Sequence, residues 1–274
     1  MELIKPPINF TGNKFKLLPQ ILDIIPKGNI NFMDLFGGSF AVGLNIEAES
    51  ITYNELDKEL FELVKYLKTN KYDDIVNKIE KLIIKYNLGK NTKDEYLKLR
   101  ADYNKNKSPI LLFLLSCYSF NYQIRFNSIR EFNMPCGNRG FSNSMKENLK
   151  KFCDRDINVT FSNGNYKHLG YKPYTFYYAD PPYLMTIATY TENGLWNLDK
   201  ELELYKYLEE LNMYGANFAL SNVIKYRGED NKLLMEWVIK NNFKIHYLNH
   251  KYNNNNRWNK DNKLETQEVL ITNY

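Results

Sequence analysis

The sequence predicts an α/β protein in which a mostly parallel, doubly wound sheet carries the functional site. Short β-rich runs alternate with helical patterns at both ends of the chain, whereas residues 58–154 show amphipathic helical patterns instead. Two of the apolar runs end in turns, at Gly37-Gly38 and at Pro181-Pro182. Turns at strand ends are where open α/β sheets place their ligands, so both are candidate parts of a site.

Runs of β-branched and aromatic residues bounded by turn residues predict the strands. These are Ile30–Asp34, Ile51–Asn54, Val159–Phe161, Thr175–Ala179, Phe218–Ser221, Lys244–Leu248 and Glu268–Thr272. Helical periodicity predicts Lys14–Ile25, Ala41–Ala48, Leu60–Leu67, Ile75–Tyr86, Lys93–Tyr103, Leu111–Phe120, Leu198–Met213 and Asn231–Lys240. We therefore expect a discontinuous α/β domain, residues 1–57 and 155–274, interrupted by a helical domain, residues 58–154.

Composition limits the classes of partner. The 274 residues carry a formal net charge of +5, which permits a polyanionic partner. Cys117, Cys136, Cys153 and three histidines show no metal-ligand spacing, so no metal site is expected. No apolar run approaches the ~20 residues of a membrane helix, and the N-terminus lacks the pattern of a signal peptide. These features favour a cytoplasmic protein without a membrane partner.

The strand Thr175–Ala179 ends in Asp180-Pro181-Pro182-Tyr183. Two prolines fix φ and remove two backbone donors, so the strand cannot continue and its carbonyl groups are left unpaired. A carboxylate before them and a ring after them form a rigid cup for a flat ring that bears an amine. That amine would donate to Asp180 and to a proline carbonyl while the ring stacks on Tyr183. A strand-end turn without chemistry is the alternative.

The first strand runs through Asp34 and Phe36 into Gly37-Gly38, where glycines let the backbone approach a ligand closely. The turn is neither a dinucleotide-binding fingerprint nor a P-loop, so the ligand is not expected to be held by a phosphate. Glu55 ends the next strand about 20 residues later, a spacing at which an acidic residue binds ribose hydroxyls. S-adenosylmethionine fits these features, although a generic α/β turn would look similar.

In their order, these motifs resemble the Dam-type DNA adenine-N6 methyltransferases of the alpha class. The motifs are Gly12-Asn13-Lys14 after Phe10, Asp34 to Gly38, Asn54-Glu55, and Asp180 to Tyr183. Segments 97–105 and 220–223 resemble the enzymes of T-even bacteriophages in particular. The resemblance implies a Rossmann-like S-adenosylmethionine-dependent methyltransferase sheet with an inserted helical DNA-recognition domain. It also implies the host cytoplasm as location if the gene is of phage origin.

The resemblance implies a role for each matching residue. The catalytic residues are Asp180, Pro181, Pro182 and Tyr183, and the cofactor-binding residues are Phe10, Lys14, Asp34, Phe36, Gly37, Gly38, Glu55 and Asp180. Phe10 replaces the usual Trp or Tyr, and Glu55 replaces the usual Asp. The implied reaction moves a methyl group from S-adenosylmethionine to the N6 amine of a flipped-out adenine. Asp180, expected to be ionised at neutral pH, and the Pro181 carbonyl accept the hydrogens of that amine.

The resemblance also implies a DNA-reading hairpin that recognises double-stranded GATC. Its residues are Phe120, Asn121, Gln123, Arg125, Pro135 and Arg139. An aromatic side chain enters the duplex, an arginine reads guanine, and Pro135 packs beside a thymine methyl. Gln123 stands where relatives carry an apolar residue. From the residues alone, Arg125, Arg130 and Arg139 suit guanine readout, with a solvated basic loop or phosphate contacts as the alternative.

Other interpretations stay open at this stage. Protein-glutamine and RNA methyltransferases use a related cup that usually opens with Asn, and amino-cytosine enzymes usually open with Ser. A DNA-binding module without catalysis is a further alternative. The protein is expected to act as a monomer, with a dimer on DNA as the alternative and a restriction-modification system as its setting. The basic stretch Tyr252–Lys263 is either a loop that contacts phosphates or a solvated loop.

Overall fold

A computed structural model of the chain describes residues 2–10, 12–89, 92–189, 196–249 and 266–274. The basic stretch Tyr252–Lys263 lies outside these ranges, so its predicted role is not tested. Within the described residues, every predicted strand has a counterpart in a single sheet.

Eight strands form that sheet among the described residues. They are β1 (Asn31–Asp34), β2 (Ser50–Glu55), β3 (Val159–Asn163), β4 (Thr175–Ala179), β5 (Phe218–Tyr226), β6 (Glu229–Asp230), β7 (Lys244–Leu248) and β8 (Gln267–Thr272). Seven follow the order β3-β2-β1-β4-β5-β8-β7, and β6 pairs with β5. The run from β3 to β5 is parallel, and β8 is antiparallel to both neighbours. The predicted Rossmann-like, mostly parallel sheet is confirmed.

Nine helices surround the sheet in the described part of the chain. They are α1 (Leu18–Ile24), α2 (Ala41–Asn45), α3 (Lys58–Thr69), α4 (Tyr72–Tyr86), α5 (Lys93–Asn106), α6 (Pro109–Tyr118), α7 (Asn143–Asp154), α8 (Leu198–Met213) and α9 (Lys232–Asn241). Helices α3 to α7 lie between β2 and β3 in the sequence, inside the predicted helical insertion. Its division into a separate domain stays a prediction.

The helices of the structure differ from the predicted ones in several places, and α2 also ends at Asn45, before the predicted Ala48. The predicted helix Lys14–Ile25 is split, because a 3-10 turn, Lys14–Lys16, precedes α1. Helix α6 ends at Tyr118, before the predicted Phe120, because the chain leaves the helix at Ser119, which pairs with Cys136. Helix α7 was not predicted: its sequence is polar, and of its side chains only Leu149 and Phe152 are buried.

The central strands β1, β4, β5 and β8 are buried on both faces, as strands covered by helices on either side require. Alternate residues of β1 and β4 point into different apolar clusters. Phe32 and Phe176 belong to the cluster that includes side chains of α1 to α7, whereas Met33 and Tyr177 belong to the cluster that includes side chains of α8 and α9. Alternation of this kind fixes the register of each strand, because a slip of one residue would exchange the two faces.

Strand β1 is where the order of strands reverses, because the chain adds strands first on one side of β1 and then on the other. The chain runs from β1 outward to β2 and β3, and later returns to place β4 on the other side of β1. The carboxyl ends of β2, β1 and β4 are therefore neighbours, and a crevice at such a reversal is the usual ligand site of an open α/β sheet. The three strand ends carry Glu55, Asp34 and Asp180.

Gly37 lies where this crevice begins, and the Tyr53 ring leaves no room for a side chain at this position. A Cβ at this position would lie 2.2 Å from a ring atom of Tyr53, whose hydroxyl donates to the Gly38 carbonyl at 2.8 Å. We expect Gly37→Ala to lower the free energy of unfolding by about 1–3 kcal/mol, the usual cost of overpacking. Urea unfolding measures this loss. Gly89→Ala, where an added Cβ meets nothing closer than 3.8 Å, is the matched control. Equal stabilities of the two variants would contradict the packing argument.

Candidate active site

Three carboxylates lie side by side at the carboxyl edge of the sheet, because β2, β1 and β4 are adjacent there. Glu55 ends β2, Asp34 ends β1, and Asp180 directly follows β4. The backbone N–H of Leu35 donates to the Tyr178 carbonyl at 2.9 Å, which ties the ends of β1 and β4 together. Residues far apart in the sequence thus form one acidic row.

Lys14 places a cation next to this row. Its Nζ lies 2.9 Å from Asp180 Oδ1 and donates to the Gly12 carbonyl at 2.9 Å. The Lys14 side chain is 6% exposed, so the ion pair is largely removed from water. Asn13 fixes the turn that carries Lys14, because its side chain accepts the Phe15 backbone N–H.

Tyr183 completes the predicted cup. Its hydroxyl donates to Asp180 Oδ1 at 3.1 Å, and Lys14 Nζ lies 4.9 Å from the centre of its ring. Pro181 is buried and Pro182 is exposed. Asp180 therefore receives two hydrogen-bond donors from fixed side chains, and its carboxylate is held in one orientation beside the tyrosine ring.

The three carboxyl groups of the acidic row are buried close together, so their negative charges destabilise one another. Burial raises the pKa of Asp34 well above its usual value, and the charges of Asp180 and Glu55 raise it further. Burial also raises the pKa of Asp180, while Lys14 opposes that rise. Asp34 Oδ1 is buried and accepts no hydrogen bond from the described residues. A cationic ligand with N–H or O–H donors would relieve both problems.

Glu55 is bound to the protein backbone through both carboxylate oxygens. Oε2 accepts the Gly38 N–H at 2.9 Å, and Oε1 accepts the Asp57 N–H at 2.8 Å. Burial raises the pKa of Glu55 to about 7. Each oxygen keeps a second lone pair, so a hydroxyl can still be bound here. Phe10 lies next to this turn, since a Cβ on Gly38 would be 3.9 Å from its ring.

Three aromatic side chains pack together beside the glycine turn, and only Phe36 among them is predicted from the sequence. Its ring centre lies 5.1 Å from that of Tyr166 and 5.6 Å from that of Trp196. Glu201, 1% exposed, accepts the Trp196 indole N–H at 2.6 Å and so orients this ring. Leu56, directly after Glu55, is 61% exposed. No local signal could have found Tyr166 or Trp196, because only tertiary contacts bring them to Phe36.

The segment from Ser119 to Cys136 is a hairpin, as the resemblance implied. Ser119 pairs with Cys136 at its base, and Phe126 pairs with Phe132 near its tip. The Phe120 N–H donates to the Pro135 carbonyl at 2.9 Å, and the Asn133 N–H donates to the Arg125 carbonyl at 3.1 Å. A tight turn at Asn127 closes the tip.

All six residues predicted to contact DNA are exposed. They are Phe120, Asn121, Gln123, Arg125, Pro135 and Arg139. Ile124 and Phe126, which alternate with Gln123 and Arg125, are buried, so Gln123 and Arg125 share an outward face. The Arg125 Nε donates to Asn133 Oδ1 at 2.8 Å, which leaves the terminal nitrogens of its guanidinium without a hydrogen bond to a described residue. The predicted roles in DNA reading stay predictions.

The hairpin is joined at its base and at its tip to segments that adjoin the acidic row. At the base, the Asn9 side chain donates to the Asn121 carbonyl at 2.9 Å, just before the segment that holds Phe10 and Lys14. At the tip, Arg130 Nη2 lies 2.7 Å from Asp57 Oδ2 and 2.5 Å from Glu59 Oε2. Arg130 thus differs from Arg125, because its guanidinium is paired with carboxylates of the protein.

Within the described residues, no group of three or more His, Cys, Asp or Glu side chains is arranged to hold a metal ion. No helix in the same ranges combines the length and the apolar character that spanning a membrane demands.

Comparison with known proteins identifies relatives of the whole chain. A model of the D12 class N6 adenine-specific DNA methyltransferase family matches residues 10–254. The chain is 38% identical to the modification methylase StsI of Streptococcus sanguinis and 38% identical to the type II methyltransferase M.FokI of Planomicrobium okeanokoites. These alignments cover 100% and 99% of this chain but 43% of each relative, so the chain spans less than half of their length. The DNA adenine methylase of Escherichia coli K12 is 25% identical over 84% of this chain and 82% of its own.

The raised pKa of Glu55 predicts a pH-dependent stability. A buried carboxyl that titrates at about 7 instead of 4.5 stays protonated in the folded state after it has ionised in the unfolded state. The free energy of unfolding should therefore fall between pH 4.5 and pH 7, by about 3 kcal/mol for this group. Glu55→Gln should remove the part of the pH dependence that comes from Glu55, even if the variant is more or less stable than the unsubstituted protein. Urea unfolding from pH 5 to pH 8 measures both proteins, and parallel curves would refute the assignment.

Proposed function

Because this chain belongs to the D12 class N6 adenine-specific DNA methyltransferase family, we propose that it methylates the exocyclic N6 amine of adenine in duplex DNA. S-adenosylmethionine is the proposed methyl donor, and GATC is the proposed site. The observation that carries the proposal is the cup of Lys14, Asp180 and Tyr183, built beside Asp34 at the reversal point of the sheet.

The residues of the acidic row suit the proposed cofactor. S-adenosylmethionine supplies a methyl group on a positively charged sulfur, and it also carries an ammonium group and a ribose. Asp34, with one oxygen lacking a hydrogen bond from the described residues, would accept from the cofactor's donors. Glu55 would bind ribose hydroxyls through its remaining lone pairs, while Phe36 and Leu56 would contact the purine. A cationic ligand favours the ionised form of these carboxyl groups, whereas a phosphate would be repelled by them.

Asp180 would orient the target amine. The amine of adenine is a poor nucleophile, because its lone pair is delocalised into the ring. Hydrogen bonds from its two N–H groups to Asp180 and to the Pro181 carbonyl favour the pyramidal form, in which the lone pair points at the methyl group. Lys14 supports the ionised, accepting form of Asp180 against the effect of burial. Holding amine and methyl in line supplies much of the rate.

A base inside a duplex cannot reach this cup, so the target adenine must leave the helix at a cost of a few kcal/mol. Tyr183 would stack on the extruded base. Phe120 is 54% exposed on the hairpin and is the proposed side chain that fills the gap. Arg125, on the outward face of the hairpin, is the proposed reader of guanine.

The proposed GATC site rests on the residues of the hairpin, with Pro135 beside the thymine methyl. Gln123 differs from the apolar residue of Dam-type enzymes, and its amide can hydrogen-bond a base edge. The likeness of segments 97–105 and 220–223 to T-even phage enzymes supports the same type of site. The names of StsI and M.FokI support a setting in restriction and modification.

We expect transfer of tritiated methyl groups from S-adenosylmethionine to a duplex that contains GATC, with none to a matched duplex that lacks it. Asp180→Ala should abolish transfer while binding of sinefungin, a cofactor analogue, or of DNA persists. Nucleoside analysis of the product should show N6-methyladenine. Transfer to both duplexes would disprove the GATC specificity but not the methyl transfer. Near-normal turnover by Asp180→Ala would disprove the role of Asp180. Binding of DNA without any transfer would support a non-catalytic module.

Arg125→Ala should relax the preference for guanine more than it weakens binding. Loss of one good bidentate contact lowers discrimination by about 1–3 kcal/mol, or about 5- to 150-fold. Competition between GATC and duplexes with the guanine replaced measures this ratio. Lys146→Ala is the matched control, since it removes one positive charge that is paired with Glu80 at 2.8 Å. A uniform loss of affinity with a smaller salt dependence would instead make Arg125 a phosphate contact.

A further inference from the structure

The tip of the hairpin is attached to the beginning of α3 by one side chain. Arg130 Nη2 bridges Asp57 Oδ2 at 2.7 Å and Glu59 Oε2 at 2.5 Å, and the guanidinium lies 4.7 Å from the centre of the Phe126 ring. Both carboxylates are mostly shielded from water, with 21% and 15% of their side chains exposed. Burial would raise the pKa of Glu59, but the hydrogen bond from Arg130 brings it below its usual value.

From Asp57, hydrogen bonds continue to the glycine turn. The Asp57 backbone N–H donates to Glu55 Oε1 at 2.8 Å, and Glu55 Oε2 accepts the Gly38 N–H at 2.9 Å. Asp57 also caps α3, because its Oδ1 accepts the Leu60 N–H at 3.0 Å. A continuous path of hydrogen bonds therefore runs from the hairpin tip to the proposed ribose and methionine site.

The hairpin is held in place without the Arg130 guanidinium. Asn104 on α5 accepts the Phe132 N–H at 2.8 Å and donates to the Phe132 carbonyl at 3.2 Å. The rings of Phe126 and Phe132 pack on buried Tyr103, and Lys107 Nζ donates to the Arg130 carbonyl. The bridge to Asp57 and Glu59 is therefore an addition to a hairpin that is already anchored.

We propose that Arg130 is a positioning residue that couples DNA reading to cofactor binding, through its bridge to Asp57 and Glu59 and from there to Glu55. This inference rests on the proposed function. When the hairpin engages its site on DNA, a shift of the Arg130 guanidinium on the anchored tip changes the position of Asp57, and the Asp57 N–H sets the orientation of Glu55. Coupling is reciprocal, so bound cofactor also strengthens the binding of DNA by the hairpin.

Binding measurements without turnover test this coupling. Sinefungin is titrated by calorimetry into the full chain, alone and with a saturating GATC duplex, and the ratio of the two Kd values is the coupling factor. We expect a factor of about 5 or more for the unsubstituted protein, within the usual range for coupled sites. Arg130→Gln should bring the factor to about 1. Lys146→Gln, which breaks a different ion pair with Glu80, should leave it unchanged.

A double-mutant cycle separates positioning from simple structural support. If the bridge carries the coupling, Glu59→Gln should lower the factor, and adding Arg130→Gln should lower it little further. Urea unfolding shows whether a variant has lost its fold, and only variants that unfold cooperatively are compared. The inference is overturned if Arg130→Gln leaves the coupling factor unchanged. It is also overturned if the unsubstituted protein methylates GATC but shows a coupling factor of about 1. A protein that binds neither sinefungin nor DNA would instead overturn the proposed function.

Discussion

The ion pair between Lys14 and Asp180 is the contact on which the site depends. It joins the segment before α1 to the end of β4, and both partners are largely shielded from water. Removing one partner of such a pair is costly, because the other charge stays buried. Here the pair also organises its surroundings, since Tyr183 donates to the same carboxylate oxygen and Gly12 binds the ammonium group. One contact thus fixes the orientation of a carboxylate, a ring and a turn.

The same pair limits the electrostatic cost of the acidic row. Parallel strands that meet at a reversal point bring Glu55, Asp34 and Asp180 together, and burial raises the pKa of each. Lys14 opposes the rise in pKa at Asp180. Asp34 has no such partner among the described residues, and its Oδ1 accepts no hydrogen bond from them. When buried carboxyl groups of a binding site destabilise one another, a complementary ligand that binds them stabilises the folded protein. A cation with several donors is complementary to this row.

Sequence patterns predicted the elements whose signals are local. Strands Thr175–Ala179 and Lys244–Leu248 and helix Leu198–Met213 agree with the structure at both ends, because apolar runs and turn residues bound them directly. Motifs placed Lys14, Asp34, Glu55 and Asp180 at one edge of the sheet for the same reason. Sequence could not reveal the pairing of Arg130 with two carboxylates, nor the packing of Trp196 and Tyr166 on Phe36. These contacts exist only after distant segments fold together.

The glutamate at the end of β2 shows why such contacts matter for function. The resemblance to Dam-type enzymes implies an Asp at this position, and the extra methylene of Glu55 lets its two oxygens reach backbone N–H groups on opposite sides, at Gly38 and at Asp57. A shorter carboxylate would have to give up one of these bonds or draw the two segments closer. Glu55 therefore joins the turn that would hold the cofactor to the helix that holds the hairpin tip. Because both bonds use one carboxylate, a displacement on either side changes the geometry on the other.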